Sequence, residues 1–255
     1  MLTSSEIFIQ VSHPALKPMA MSSEKCQLLG EELLAAVEEG DSEVVLELIL
    51  DGANVDYASK RGGTTALSKA AIHNRRDVVD LLIRHGAQLN KYRGQALRNA
   101  VAFARNGKVV ADLSCVSALI EAGANVNLVN RDGGALHEAD CPSAISLLHI
   151  AGIDLELRDE FGRTALMLYA FNGNFECFKL LHSLGARLDV TDNYGQPLAF
   201  ELDTSCLPAA PSRCKAGWDE VVIAGRASIR AYMASSGGKA SSGETLPVTT
   251  GLTQM

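Results

Sequence analysis

His137, Glu138, Asp140 and Cys141 place four metal-capable side chains within five positions. Imidazole, carboxylate and thiolate are the ligand types of zinc. A closed zinc site also needs a second ligand set at fitting spacing, and no such set stands elsewhere in the chain. Arg105-Asn106-Gly107-Lys108 resembles the end of a phosphate-cradling loop. That loop needs a glycine five residues before Gly107, where this chain has Ala102. Ser212-Arg213-Cys214-Lys215 spells a Ser-x-x-Lys string, but it lies in a loop-like segment after Pro208 and Pro211. His13, His73, His85, His137, His149 and His182 are scattered, without an orienting partner. No catalytic activity, cofactor or metal is expected from these residues.

The elements that must carry them repeat. Gly52-Ala53-Asn54-Val55-Asp56 returns as Gly86-Ala87-Gln88-Leu89-Asn90 and Gly123-Ala124-Asn125-Val126-Asn127. It returns again as Gly152-Ile153-Asp154-Leu155-Glu156 and Gly185-Ala186-Arg187-Leu188-Asp189. The glycines are 34, 37, 29 and 33 residues apart. A period near this length means one supersecondary unit copied along the chain, each copy touching mainly its neighbours.

Before each phrase runs an apolar stripe at helical spacing: Val44, Val45, Leu48 and Ile49; Val78, Val79, Leu81, Leu82 and Ile83; Phe178, Leu180, Leu181 and Leu184. The glycine suits a left-handed helix exit. Upstream lies a shorter alanine-rich helix, at Thr65–Ala71 and Thr164–Ala170, with Thr65 and Thr164 as expected N-caps. Turn residues such as Asp132-Gly133-Gly134 and Glu160-Phe161-Gly162 separate the units. Leu81 and Leu180 are expected in the core.

These features resemble the ankyrin repeat family over residues 29–204. Gly63-Thr64-Thr65-Ala66-Leu67 and Gly162-Arg163-Thr164-Ala165-Leu166 are close to its signature; Ala135-Leu136-His137 and Gln196-Pro197-Leu198 keep parts of it. The resemblance implies an all-α solenoid of about five helix-turn-helix repeats with hairpin-like loops and a partial closing unit. It also implies a non-catalytic scaffold that binds a protein through its hairpin tips and concave first-helix face. On matching positions the tip candidates are Tyr57, Lys60, Arg61, Tyr92, Arg93, Asn130, Arg131, Arg158, Phe161, Asn193 and Tyr194; Lys69 and Arg98 stand on first helices, and Lys91 is a further basic contact candidate. Ser68, Asn99, Glu138 and Met167 are expected to be exposed beside them. The alternative is a regulatory or host-directed effector whose array targets a functional terminal segment.

Composition agrees with a thin, layered core: 47% of residues are hydrophobic but only 5% aromatic, so small side chains dominate. No stretch is long and apolar enough to span a bilayer, and Met1–Met21 lack the basic start and apolar run of a secretory leader. The six cysteines form no C-x-x-C pair and are expected as buried thiols, so a cytoplasmic location is expected, with the nucleus open. The net charge of −7 is sorted: residues 24–56 carry −9, residues 57–110 carry +9 and residues 111–204 carry −9. In a solenoid, order along the chain is order in space, so these become acidic, basic and acidic bands. The basic band either contacts an acidic protein, anionic lipid or nucleic acid, or complements its acidic neighbours. Overall acidity and the lack of paired stacking aromatics argue against nucleic acid. The protein is expected to be monomeric.

The ends differ from the array. Residues 1–28 read as a poorly structured extension, residues 205–234 as a capping helical segment anchored by Trp218, and residues 235–255 as a flexible tail. Two units depart from the pattern. The third has Gln95 where the signature has threonine, plus extra residues around Ala102–Asp112. In the fourth, Ala139-Asp140-Cys141-Pro142 interrupts the helix pair, because a proline and the residue before it resist helix. Native-state hydrogen exchange is therefore expected to be fastest, within the array, in units three and four; amides there exchanging slowest of all would refute it.

Overall fold

The structure, a computed structural model, describes residues 23–59, 63–104, 111–198 and 218–236. Five helix pairs follow one another: α1 (Ser23–Glu39) and α2 (Ser42–Leu50), α3 (Ala66–Ile72) and α4 (Arg76–Arg84), α5 (Lys91–Phe103) and α6 (Ser114–Glu121), α7 (Ala135–Glu138) and α8 (Pro142–Ile150), α9 (Ala165–Phe171) and α10 (Phe175–Ser183). A last helix, α11, covers Trp218–Ser236. First helices stack in order, α1 on α3, α3 on α5, α5 on α7 and α7 on α9. Second helices form a parallel row, in which α2 meets α4, α4 meets α6 and α8 meets α10. This is an α-solenoid. Between α6 and α8 the row is sparse. Helix α1 starts at Ser23, six residues ahead of the array boundary expected at 29.

Helix starts use the side chains that the sequence supplies. Asp41 accepts from the N–H groups of Glu43 and Val44, both at 3.1 Å. Thr65 and Ser68 cap reciprocally: Ser68 N–H donates to Thr65 Oγ1 at 3.1 Å, and Thr65 N–H to Ser68 Oγ at 2.9 Å. Thr164 accepts from Met167 N–H at 3.4 Å. Helix ends share one device. Each phrase glycine, at positions 52, 86, 123, 152 and 185, has φ between 83° and 106°. Its N–H, and that of the residue after it, turn back onto the last carbonyls of the helix; for unit two these bonds are Gly86 N–H to Ile83 O and Ala87 N–H to Leu82 O, both 3.0 Å.

Units three and four carry the irregularities. Tyr92, Arg93 and Gly94 are left-handed inside the span of α5, and residues 105–110 lie outside the described residues. Helix α7 has four residues and stops at Glu138; Ala139 is extended, and Pro142 opens α8. Hairpins between units close with short antiparallel pairings: Val129–Asn130 (β1) with Gly133–Gly134 (β2), and the single bridges Ala58–Thr65, Arg158–Thr164 and Thr191–Pro197.

The core runs the length of the stack and is rich in alanine. The expected core positions Leu81 and Leu180 are only half-buried, whereas Leu82 and Leu181 are sealed. A stripe shared by two neighbouring leucines cannot say which one faces the interior. Cys115, Cys141 and Cys177 are buried, but Cys26 is exposed, contrary to expectation. Helix α11 packs on α9 and α10. Arg226 is fully buried and donates to Phe171 O through Nε at 2.8 Å and Nη2 at 2.5 Å, with its guanidinium over the Phe171 ring. Tyr232 sets its ring edge-on to Phe175, Phe178 and His182. A Cβ built on Gly225 would overlap Gly173 O, so α11 sits backbone to backbone on the last inter-helix turn. Trp218's side chain lies outside the described residues. Leu82→Ala or Leu181→Ala should cost about 2–5 kcal/mol in urea unfolding, and clearly more than Leu81→Ala; equal losses would mean that the layers are misassigned.

Candidate functional site

The tips are positioned by a ladder that the sequence repeats without announcing. Asp56 Oδ1 accepts from Gln88 N–H at 2.9 Å, Asn90 Oδ1 from Asn125 N–H at 2.8 Å, Asn127 Oδ1 from Asp154 N–H at 2.8 Å and Glu156 Oε1 from Arg187 N–H at 2.9 Å. In each case the fifth residue of one phrase holds the third residue of the next. Beyond the ladder the tips bond directly. Glu160 N–H donates to Arg131 O at 3.1 Å, and Asn193 N–H to Phe161 O at 2.9 Å. Asp159 is buried and braces its own turn, accepting from Phe161 and Arg163 N–H and pairing with Arg163 Nη2 at 2.7 Å.

On this frame the candidate residues divide. Tyr57 is half-buried; its hydroxyl donates to Glu31 Oε1 at 2.6 Å and its ring fills the space above Gly30. That hydrogen bond holds the phenol above its usual pKa. Lys69 pairs with Glu38 of the preceding unit at 2.6 Å, holding that carboxyl below the usual range. Lys91 Nζ donates to Asp56 O at 2.7 Å. Arg98, with 11% of its side chain exposed, stands 3.9 Å from Glu138. Arg158 Nη1 donates to Gly162 O and Thr191 O, both at 2.7 Å. These cations stitch units together. Lys60 and Arg61 lie outside the described residues.

Among the described candidates not engaged in this way, what is open to solvent is aromatic and arginine-bearing. Tyr92 is 48% exposed, Phe161 40% and Tyr194 72%. Arg93 and Arg131 are exposed too; Arg93 Nη1 reaches Val129 O at 3.3 Å. A recess of about 350 Å³ lies between these tips, lined by Arg93, Asn130, Arg131 and Glu160. Asn130 is among the tip residues that the sequence offers; Glu160 is not, and its one signal is its place beside Phe161 in the turn. The first-helix face is corrected in two places. Ser68 and Met167 are buried, Ser68 because the capping box consumes it. Asn99 and Glu138 are half-buried.

The four metal-capable residues are spent separately. His137 Nδ1 accepts from Gly134 N–H at 3.1 Å, and Nε2 faces Arg163 O at 3.2 Å. The ring thus takes the part that Ser68 plays in unit two, accepting from the N-cap N–H, and ties α7 to the next hairpin. Cys141 Sγ faces Ser143 Oγ. Among the described residues no group of three possible ligands gathers, and no helix is long and apolar enough to cross a membrane. The strings Arg105–Lys108 and Ser212–Lys215 lie outside the described residues.

The pattern for ankyrin repeats, in three copies, matches residues 33–130, and that for a single ankyrin repeat matches residues 161–193. The chain is 36% identical to the human 2-5A-dependent ribonuclease over 77 residues, covering 30% of this chain and 10% of that protein. It is 29% identical to mouse ankyrin repeat and SOCS box protein 6 over 131 residues, 51% of this chain and 31% of that protein. It is 51% identical to the palmitoyltransferase AKR1 of Candida glabrata over 53 residues, 20% of this chain and 7% of that protein. The chain therefore spans less than half the length of these relatives.

Burial lowers the His137 pKa below 6.5, against the opposing pull of the Arg163 carbonyl. The unfolded chain then binds a proton there more readily, so this site loses stability as pH falls below about 6.5. Glu138, raised by burial against the opposing pull of Arg98, acts the other way: it adds stability at low pH that is lost as pH rises through its folded value. In urea titrations at about pH 7.5 and about pH 5.5, the drop in unfolding free energy should be smaller for His137→Gln than for wild type. Equal drops would show that His137 is not a buried neutral brace.

Proposed function

The chain belongs to the ankyrin repeat family, and on that footing we propose that it is a non-catalytic adaptor docking another protein along its hairpin tips and the adjoining first-helix face. Ankyrin repeats are generally protein–protein interaction modules, and a stack of near-identical layers offers an extended surface instead of a central cleft. The observation that carries the reading is the sorting of the tip residues. Four of the six described candidate cations are engaged between units, while Tyr92, Phe161 and Tyr194 are left exposed in three different tips. Aromatic and arginine side chains supply much of the binding energy of protein interfaces. A partner with an acidic contact surface, a monomeric state and a cytoplasmic location belong to the same proposal; the buried thiols of Cys115 and Cys141 fit a reducing compartment.

Affinity capture with wild type and with the Tyr92→Ala/Phe161→Ala/Tyr194→Ala variant tests it. The variant should melt within a few degrees of wild type and lose the captured proteins by about tenfold or more. Bound proteins should also come off progressively between about 50 and 300 mM salt. Undiminished capture by the variant would remove the tips from the account, and capture indifferent to salt would remove the charges.

A further inference from the structure

We propose that the tips of units three to five form a receptor for a single carboxylate side chain of a protein partner, held between Arg93 and Arg131. This rests on the adaptor reading and names what its tips recognise. The first observation is a broken backbone rule. At the tip position aligned with Gly63, two residues before Thr65, three tips place glycine with positive φ, Gly63 at 62°, Gly162 at 79° and Gly195 at 76°, and unit four places Asp132. Unit three places Arg93 there, with φ 56° and ψ 48°, and Tyr92 beside it is left-handed as well. An L side chain resists this conformation. Strain of this kind persists where the surroundings enforce it, and it concentrates at functional sites.

Arg93 gains little within the fold in return. Its guanidinium makes one long bond, Nη1 to Val129 O at 3.3 Å, and its other donors meet no partner among the described residues. Arg131 is exposed and fixed through its backbone, because its carbonyl accepts from Glu160 N–H. Arg93 and Arg131 both line the recess of about 350 Å³. A carboxylate accepts parallel N–H bonds from such planar donors. Glu160 forms another wall, and Asp132 lies beyond Asn130, whose Nδ2 donates to it at 3.3 Å. These acids disfavour a run of negative charge or a phosphate dianion. They select one carboxylate flanked by uncharged or basic residues.

The test uses the full chain and labelled twelve-residue peptides with randomised flanks around a fixed Asp, Glu, Gln or phosphoserine. Wild type should retain Asp and Glu peptides about tenfold more than Gln peptides. Arg93→Gly should abolish that preference while melting at or above the wild-type temperature, since glycine is at ease in this backbone. Arg131→Gln should abolish it with melting unchanged. If Arg93→Gly melts early, Arg131→Gln alone decides: loss of the preference supports the proposal, and survival overturns it. Failure to retain any peptide, a preference for phosphoserine over carboxylate, or a preference surviving both substitutions also overturns it. Peptides retained without regard to charge would remove this receptor and leave the adaptor reading standing.

Discussion

Every unit is held in place by one recurrent hydrogen bond, from the third residue of a phrase to the side chain of the fifth residue of the phrase before it. The four bonds that end on Asp56, Asn90, Asn127 and Glu156 measure 2.8–2.9 Å. A single helix pair cannot bury its own apolar side, so it is stable only against a neighbour. Hydrophobic contact between alanine-rich helices is short-range but not directional, and would let units slide. The ladder supplies the direction. The glycine exits complete it, because each places the phrase at the same angle to its helix. Tips, turns and candidate site inherit their spacing from these two devices.

Charge is used in the same spirit. The basic band does not simply project into solvent. Lys69 reaches back to Glu38, Lys91 to Asp56 O, Arg75 to Glu39 O, and Arg76 forward to Ser114 O. Ion pairs of this exposure contribute little each, but bonds to backbone carbonyls of a neighbouring unit add register to the stack. The consequence for function is subtractive. Among the described candidates, the exposed tip residues without such ties narrow to three aromatic rings and two arginines.

The end of the stack shows the same economy of contacts. Helix α11 buries Val222, Arg226 and Ile229 and leaves Val221 and Ile223 exposed. Its buried arginine satisfies the carbonyl at the end of α9, a group that a helix terminus otherwise leaves without a partner. Gly173 and Gly225 allow the backbones to meet, and the Tyr232 hydroxyl lies 3.0 Å from His182 Nδ1. The helix thereby closes the apolar side of the last unit.

The repeated phrase by itself determined the architecture: helix exits at glycine, threonine caps, the order of units and the irregular fourth unit are local matters, governed by backbone conformation and side chains within a few residues. The interruption at Cys141-Pro142 was legible for that reason, as were the helices on either side. Tertiary structure alone decided which tip residues remain available. Lys69 and Tyr57 look like surface residues in one dimension, and become internal ties only when Glu38 and Glu31, tens of residues away, are brought beside them. Met167 is buried in the stack, and the strain at Arg93 appears only in backbone angles. Spacing along a chain reports what a residue can do locally; whether it is free to do it depends on partners that only stacking supplies.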